Sequence, residues 1–501
     1  MHVLAHHLKV LSQLPYTPPP SGHHRARPRG NVISWTASIS RYARNGLLSE
    51  AMSTFSSMLV AGVLPNSITL ATLLSACADY SSNPLSLPLG ISIHALVFKC
   101  CPDHGLDDVV LGTALVDMYA KCGLINVARR VFDGMTVKNS VTCNTMIDGY
   151  MKCGEVNHAI SVLRQMSNRD KVSWTALING CIRNKLFEDA LEYFREMQAE
   201  DIVLDYVIAI AVLAVCANLG ALGQGLWMHC LSMRHDFRDN IRLNNSLIDM
   251  YSRCGRVDLA FQVFTSIRER NRVSWNSMIV GFATNGYSRE ALDHFSMMLK
   301  TGFEPDGVSF TGVLTACSHA GLIEIGLKHY DVMQRVYGIV PRMEHYGCVI
   351  DLLARAGYLE DAMHLLERMP MKPNVVILTS LLAACRTHGD AGLAERLMGY
   401  LVELEPDCDS NFVLLSNIYA TLGKWTSVGE VRGIMKAWEI KRRPGFSAVE
   451  IDCGIHEFMS GDRSHPESDG IYDMLDILGS EMKLYGYHPQ AIMSGLPLEC
   501  E

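Results

Sequence analysis

Two sets of residues in this 501-residue chain have the types that do chemistry: His465-Pro-Glu467 near the C-terminus, and 16 cysteines. An HxE spacing can supply a zinc ligand and the glutamate that shuttles protons while metal-bound water attacks a base. The site also needs a later pair of cysteines to complete three protein ligands. Only Cys500 follows His465, and no two cysteines form a CxxC pair. His465-Pro-Glu467 is therefore read as part of a Ser-His-Pro run. No catalytic residue, metal or cofactor is expected, and any chemistry must come from a partner. The cysteines are scattered about once per 30-odd residues, as at Cys122, Cys153 and Cys254. They are expected to be small buried hydrophobes in a reducing compartment.

The elements behind these residues announce themselves through glycine. Gly123 to Gly154 is 31 residues, Gly220 to Gly255 is 35, Gly255 to Gly286 is 31, Gly286 to Gly321 is 35 and Gly321 to Gly357 is 36. Lys185 splits the interval from Gly154 to Gly220 into 31 and 35. A period in this range marks a repeat array. Ahead of each glycine run segments such as Asn144-Thr-Met-Ile-Asp-Gly-Tyr150, with apolar residues three and four apart. After it Ala159, Val162, Leu163 and Met166, or Ala190, Tyr193, Phe194 and Met197, or Ala291, His294, Phe295 and Met298, repeat at i, i+3, i+4 and i+7. The unit is a two-helix hairpin with glycine at its turn. One hairpin cannot bury its apolar face alone, so neighbours must stack on it, and the fold expected is an all-α, α-α superhelical solenoid.

Composition (49% hydrophobic, 19% charged) is globular, and no apolar stretch reaches the ~18 residues of a membrane helix, so no membrane contact is expected. Residues 1 to 49 lack Asp and Glu but contain Lys9, Arg25, Arg27, Arg29, Arg41 and Arg44, the composition of an organellar transit peptide. This leader is assigned to 1–31. The net charge of −8 disfavours generic phosphate binding. Nucleic-acid binding, if present, must come from base contacts.

Units Val32 to Asn66, Lys171 to Asp205 and Arg272 to Asp306 are 35 long and open on Ser-Trp-Thr or Ser-Trp-Asn; Val109 to Asn139, Ser140 to Asp170 and Ile241 to Asn271 are 31 long. The array, 32–374, resembles the pentatricopeptide repeats of land-plant organellar proteins, in the subclass of mixed repeat lengths. The unit 67–108 is longer, and Pro84 and Pro88 suggest that its surplus loops out between helices. Residues 375–409 and 410–441 resemble the degenerate E motifs. The segment 442–488, with Arg443-Pro-Gly-Phe-Ser447 and Gly461-Asp-Arg-Ser-His-Pro466, resembles the E-plus extension, leaving 489–501 as a tail.

That resemblance implies a sequence-specific adaptor for single-stranded RNA. The adaptor would select cytidines in plastid transcripts for C-to-U editing. Its tail would engage a separate deaminase-type (DYW-like) protein and editing accessory proteins. The mitochondrion is the alternative location. In the family the fifth and last residues of a repeat read one base. Carried over, Thr36 with Asn66 and Thr113 with Asn139 favour adenine, Asn144 with Asp170 and Asn276 with Asp306 uracil, Thr175 with Asp205 guanine, and Asn245 with Asn271 a pyrimidine. Ala71, Ile210 and Thr311 break the pattern. Ile33, Val110, Val141, Val172 and Val273, at the second place, would pack against base faces, with Arg242 stacking instead.

Other readings stay open at this point. The second-place residues could be ordinary helix-start packing. Last-place Asp and Asn could simply cap the next helix, although capping does not explain why the fifth place is Asn or Thr in six of nine units. The whole array could be a protein-binding scaffold, or could serve splicing or transcript stability.

Overall fold

The structure is a computed structural model that describes residues 31–100, 108–200, 202–235, 237–406, 408–438, 446–451, 454–459 and 463–485. The leader up to residue 30, residues 443–445 and 461–462 of the two E-plus runs, and the tail 489–501 with Cys500 lie outside these residues.

Helices alternate along the chain from Val32–Arg44 to Trp425–Ala437 in pairs. Most first helices start just after an Asn or Asp, whereas helix Met343–Arg355 follows Arg342 and helix Asp409–Thr421 follows Cys408. Asn66, Asn139, Asp170, Asp205, Asn271 and Asp306 each turn a side-chain oxygen onto backbone N–H groups of the next helix. Such caps are worth ~1 kcal/mol each. The first helix ends at a left-handed residue that reverses the chain: φ is +78° at Gly154, +75° at Gly255 and +60° at Lys185. Lys185 is the one described residue other than glycine with positive φ. A side chain there costs more than the entropy that glycine gives up, so Lys185→Gly should stabilise the fold by about 0.5–1 kcal/mol, read as a higher denaturant midpoint.

Second helices explain the two periods. They are 10 residues long in the 31-residue units (Ile125–Gly134, Val156–Gln165, Val257–Ser266) and 13 in the 35-residue units (Leu48–Val60, Phe187–Ala199, Ser288–Lys300). About one helical turn accounts for the difference. In the longer unit the turn at Tyr80–Leu85 holds Pro84, while the following helix, Ser86–Cys100, runs 15 residues. Pro88 does not lie in the loop as expected. It sits in the first turn of that helix, where a missing N–H costs nothing.

The chain divides into two compact units, one running to Arg253 and one from Cys254, with residues 221–224 counted in the second. In each unit, first helices stack on the first helices of neighbouring repeats, and second helices pack against the first helices of their own and the next repeat. The eighth place of the first helix fills the core: Ile39, Leu74, Ile147, Ile178 and Ile248 in the first unit, and Ile279, Leu314, Ile350 and Leu382 in the second, are fully buried. The helix pairs Val375–His388 with Ala391–Leu404, and Asp409–Thr421 with Trp425–Ala437, continue the second unit. Beyond them an antiparallel hairpin pairs Phe446–Ile451 with Gly454–Met459, ahead of helix Ser468–Leu484. The sequence reading did not anticipate this hairpin.

The cysteines divide. Cys77, Cys181, Cys216, Cys317 and Cys385 are buried, and burial pushes the thiols of Cys77, Cys181 and Cys385 up to about 12, which makes them inert. Cys153 is exposed, and Cys122 and Cys254 are half-buried, against expectation. Cys122 and Cys153 are C-cap residues at the hairpin tip, a place the stack does not cover.

Candidate nucleic-acid interface

The second and fifth places of a first helix are i and i+3 and share one face. The second-place residues are open to solvent, from 73% exposed at Ile33 to 53% at Val273, with Val110, Val141 and Val172 between. Core packing at the helix start is therefore not their role. Ile68, Val308 and Val376 occupy the same place and are as uncovered, and Val207 is exposed to a lesser degree. One exposed valine needs no explanation; the same place in nine first helices does. Arg242, where the apolar residue is missing, is also exposed.

The last-place residues do cap, and capping uses only half of each side chain. Asn139 Oδ1 accepts the Thr142 N–H at 2.9 Å and the Thr142 hydroxyl at 2.8 Å. Asn66 Oδ1 does the same with Thr69, at 2.9 and 2.7 Å. Both asparagines are exposed, and the end not engaged by the cap is the Nδ2 donor. Asp170 Oδ1 accepts from the Ser173 N–H and hydroxyl, both at 2.9 Å, so its other end is an acceptor. Burial alone would raise the Asp170 carboxyl, but Ser173, Asn144 and the Val172 N–H outweigh it and hold it below the ordinary range. Asp205 caps through the Val207 and Ile208 N–H groups. The outer oxygen of Asp306 meets Arg272 Nε at 3.1 Å and that of Asp205 lies 3.9 Å from Lys171 Nζ, exposed pairs of little net energy.

The fifth-place groups join these caps. Thr113 Oγ1 lies 2.6 Å from Thr142 Oγ1. The single Thr142 proton goes to Asn139, so Thr113 donates to Thr142 and turns lone pairs outward. Thr36 lies 2.6 Å from the Thr69 hydroxyl and 2.8 Å from the Val32 carbonyl, and Thr175 donates to the Lys171 carbonyl at 2.6 Å. Asn276 Nδ2 donates to Asp306 at 2.9 Å and its oxygen accepts the Ser309 hydroxyl at 2.6 Å; Asn144 Nδ2 lies 3.5 Å from Asp170. Asn245 belongs to the first unit and Asn271 to the second. Each repeat whose two reading places lie in one unit thus presents a pair of polar ends beside an exposed apolar residue.

Sequence reasoning missed the hydroxyl between the two reading places. Its signal was the Thr or Ser two residues before the fifth place, as in Val141-Thr-Cys-Asn144 and Val273-Ser-Trp-Asn276. Three longer repeats lack the pattern, as expected: Ala71 is buried, Ile210 half-buried, and Thr311 donates to the Gly307 carbonyl.

At the other end of the chain, His465 Nε2 is 2.9 Å from His456 Nδ1 and His465 Nδ1 accepts the Glu467 N–H at 3.1 Å. Both ring nitrogens are engaged in fixing the hairpin to the following turn. Among the described residues no group of three His, Cys, Asp or Glu could hold a metal ion, and no helix is long and apolar enough to cross a membrane.

Comparison with known proteins agrees with this architecture. The PPR repeat family matches residues 30–79, 138–171 and 270–319, and the PPR repeat 113–140, 172–202, 245–272 and 344–373. The E motif matches 388–450 and the E+ motif 455–482. An Arabidopsis thaliana pentatricopeptide repeat-containing protein described as chloroplastic is 53% identical, over 91% of this chain and 90% of its own length. A second from the same plant is 46% identical over 90% of this chain, which spans 65% of that relative. A third, putative and described as mitochondrial, is 36% identical over 92% of this chain and 68% of its own. Among solved structures the maize pentatricopeptide repeat protein PPR10 superposes with a TM-score of 0.56 at 20% identity, covering 83% of this chain and 60% of its own. The repeats, their order and the motifs that follow them establish that the chain belongs to the pentatricopeptide repeat family.

Proposed function

We propose that the chain is a sequence-specific, single-stranded RNA-binding adaptor that selects cytidines in plastid transcripts for C-to-U editing by a deaminase supplied in trans. The observation that carries this reading is the register of hydrogen-bonding ends. A threonine whose proton is spent inside the protein offers an acceptor; beside Asp205 it makes two acceptors, the complement of guanine N1–H and N2–H₂. Thr113 with Asn139 makes an acceptor and a donor, the complement of adenine N6–H₂ and N1. Asn276 with Asp306 makes a donor and an acceptor, which suits uracil O4 and N3–H. A peptide groove gives no reason for such alternation. The exposed second-place residues give base faces an apolar surface. The net charge of −8 fits recognition through bases rather than phosphates.

The E and E+ motif matches support an editing role for the tail, and the chloroplastic relative supports a plastid setting, with the mitochondrion as the alternative. In this reading the chain is not itself an enzyme. It positions its partner, a DYW-like deaminase with accessory proteins, through residues 375–488. Sequencing organellar cDNA from plants lacking the protein tests it. Loss of editing at a few cytidines is the expected result. Intact editing with unspliced or missing transcripts would instead assign the protein to splicing or stability.

A further inference from the structure

We propose that the hydroxyl at the third place of each following repeat, Thr69, Thr142, Ser173 or Ser309, is a positioning group that sets the base selectivity of the repeat before it; this rests on the RNA-reading function proposed above. All four side chains are fully buried. None can touch a base. Each nevertheless touches the groups that would. Thr142 holds Asn139 Oδ1 at 2.8 Å and Thr113 Oγ1 at 2.6 Å. Thr69 holds Asn66 at 2.7 Å and Thr36 at 2.6 Å. Ser309 contacts Asp306 Oδ1 at 3.2 Å and Asn276 Oδ1 at 2.6 Å. Ser173 holds Asp170 at 2.9 Å, and Asp170 meets Asn144 at 3.5 Å.

The physical consequence follows from counting protons. An amide or carboxylate held by a backbone N–H alone can rotate its plane, or swap its ends, at the cost of one hydrogen bond. A second donor on the same oxygen makes the swap cost two. In the Thr113 repeat the hydroxyl also takes the fifth-place proton, so it decides that the threonine offers lone pairs to the base. In the repeat of Thr113 and Asn139 the third-place group thus fixes the polarity of both reading groups while lying behind them; beside Asp170 and Asp306, whose carboxylate ends are alike, it fixes their orientation.

One repeat supplies the contrast. After Asp205 the third place is Ile208, fully buried and without a hydroxyl. Asp205 Oδ1 then accepts two backbone N–H groups and no hydroxyl, so no third-place group links it to Thr175, which donates to its own helix. The guanine-reading pair lacks the shared hydroxyl and should discriminate less sharply than the pairs that have it.

The test uses the full-length protein and a random-sequence single-stranded RNA pool, with bound RNAs sequenced to give the base preference aligned to each repeat. Thr142→Val keeps the buried shape and removes the hydroxyl. Preference at the nucleotide facing Thr113 and Asn139 should fall about tenfold, the ratio commanded by one lost hydrogen bond, while preferences at other repeats stay the same. Thr142→Ser should restore it. Ile208→Thr should raise guanine preference opposite Thr175 by about threefold to tenfold. Unchanged preference at the braced position in Thr142→Val, or a loss spread evenly over all positions, would overturn the positioning role. A wild-type protein without preference at any position would overturn the RNA reading itself, and this inference with it.

Discussion

Asn139→Asp should turn the repeat that begins at Val109 from an adenine reader into a guanine reader. The last-place side chain keeps its cap, because Oδ1 of either residue accepts the Thr142 N–H and hydroxyl. What changes is the other end, from an Nδ2 donor to a carboxylate acceptor. With Thr113 already an acceptor, the pair becomes two acceptors, matching guanine N1–H and N2–H₂ and leaving adenine N1 facing a lone pair. A matched base-edge contact is worth about 1–3 kcal/mol, so preference should swing by about 10- to 100-fold at that nucleotide alone. Titrating wild type and variant against two RNAs that differ only there measures it directly. Equal affinities of both proteins for both RNAs would refute the assignment. The reverse exchange, Asp205→Asn beside Thr175, should move its repeat from guanine towards adenine by a smaller factor, since Ile208 supplies no hydroxyl to hold the side chain.

The hairpin repeats were legible in sequence because each depends on a local requirement that only certain residues meet. A left-handed turn residue, an Asn or Asp cap and apolar spacing of three and four recur in one register, and even Lys185 could be placed because the spacing demanded a turn there. The reading places were legible as positions. Their polarity was not, since the Thr142 hydroxyl approaches Thr113, 29 residues away, only after repeats stack. The same limit explains the cysteines. Cys77 and Cys317 lie one turn inside a first helix and are buried, whereas Cys153 lies next to Gly154 at the hairpin tip, and sequence spacing does not report which ends the stack covers. The strands Phe446–Ile451 and Gly454–Met459 carry no clean alternation of apolar and polar residues, so the hairpin left no period-two signal to read.

Asp351→Ala should loosen the junction between the last array repeat and the first E-motif hairpin. Asp351 lies in helix Met343–Arg355 and accepts the Ser318 hydroxyl at 2.5 Å, the Ser380 hydroxyl at 2.6 Å and Arg355 Nε at 2.7 Å. One carboxylate therefore ties three consecutive first helices. Burial pushes the Asp351 carboxyl up, but Ser318, Ser380 and Arg355 outweigh it and hold it below the ordinary carboxylate range. A carboxyl depressed in the folded state contributes stability that is fully present above its unfolded value and is lost as pH falls through the folded value. The stability gap between wild type and Asp351→Ala should thus be constant near neutral pH and narrow below pH ~4. The two hydroxyl hydrogen bonds lost, with Ser318 left buried and the exposed Arg355 pair adding little, set its size at about 2–4 kcal/mol. A solenoid couples nearest neighbours, so the loss should be local. Hydrogen exchange should quicken in Gly307–Ala320 and Val375–His388 and stay unchanged in Val109–Lys121. If the tail recruits the deaminase, the same variant should lower editing while base preference at Thr113 and Asn139 persists; quickened exchange throughout the chain would show instead that Asp351 supports global stability rather than this junction.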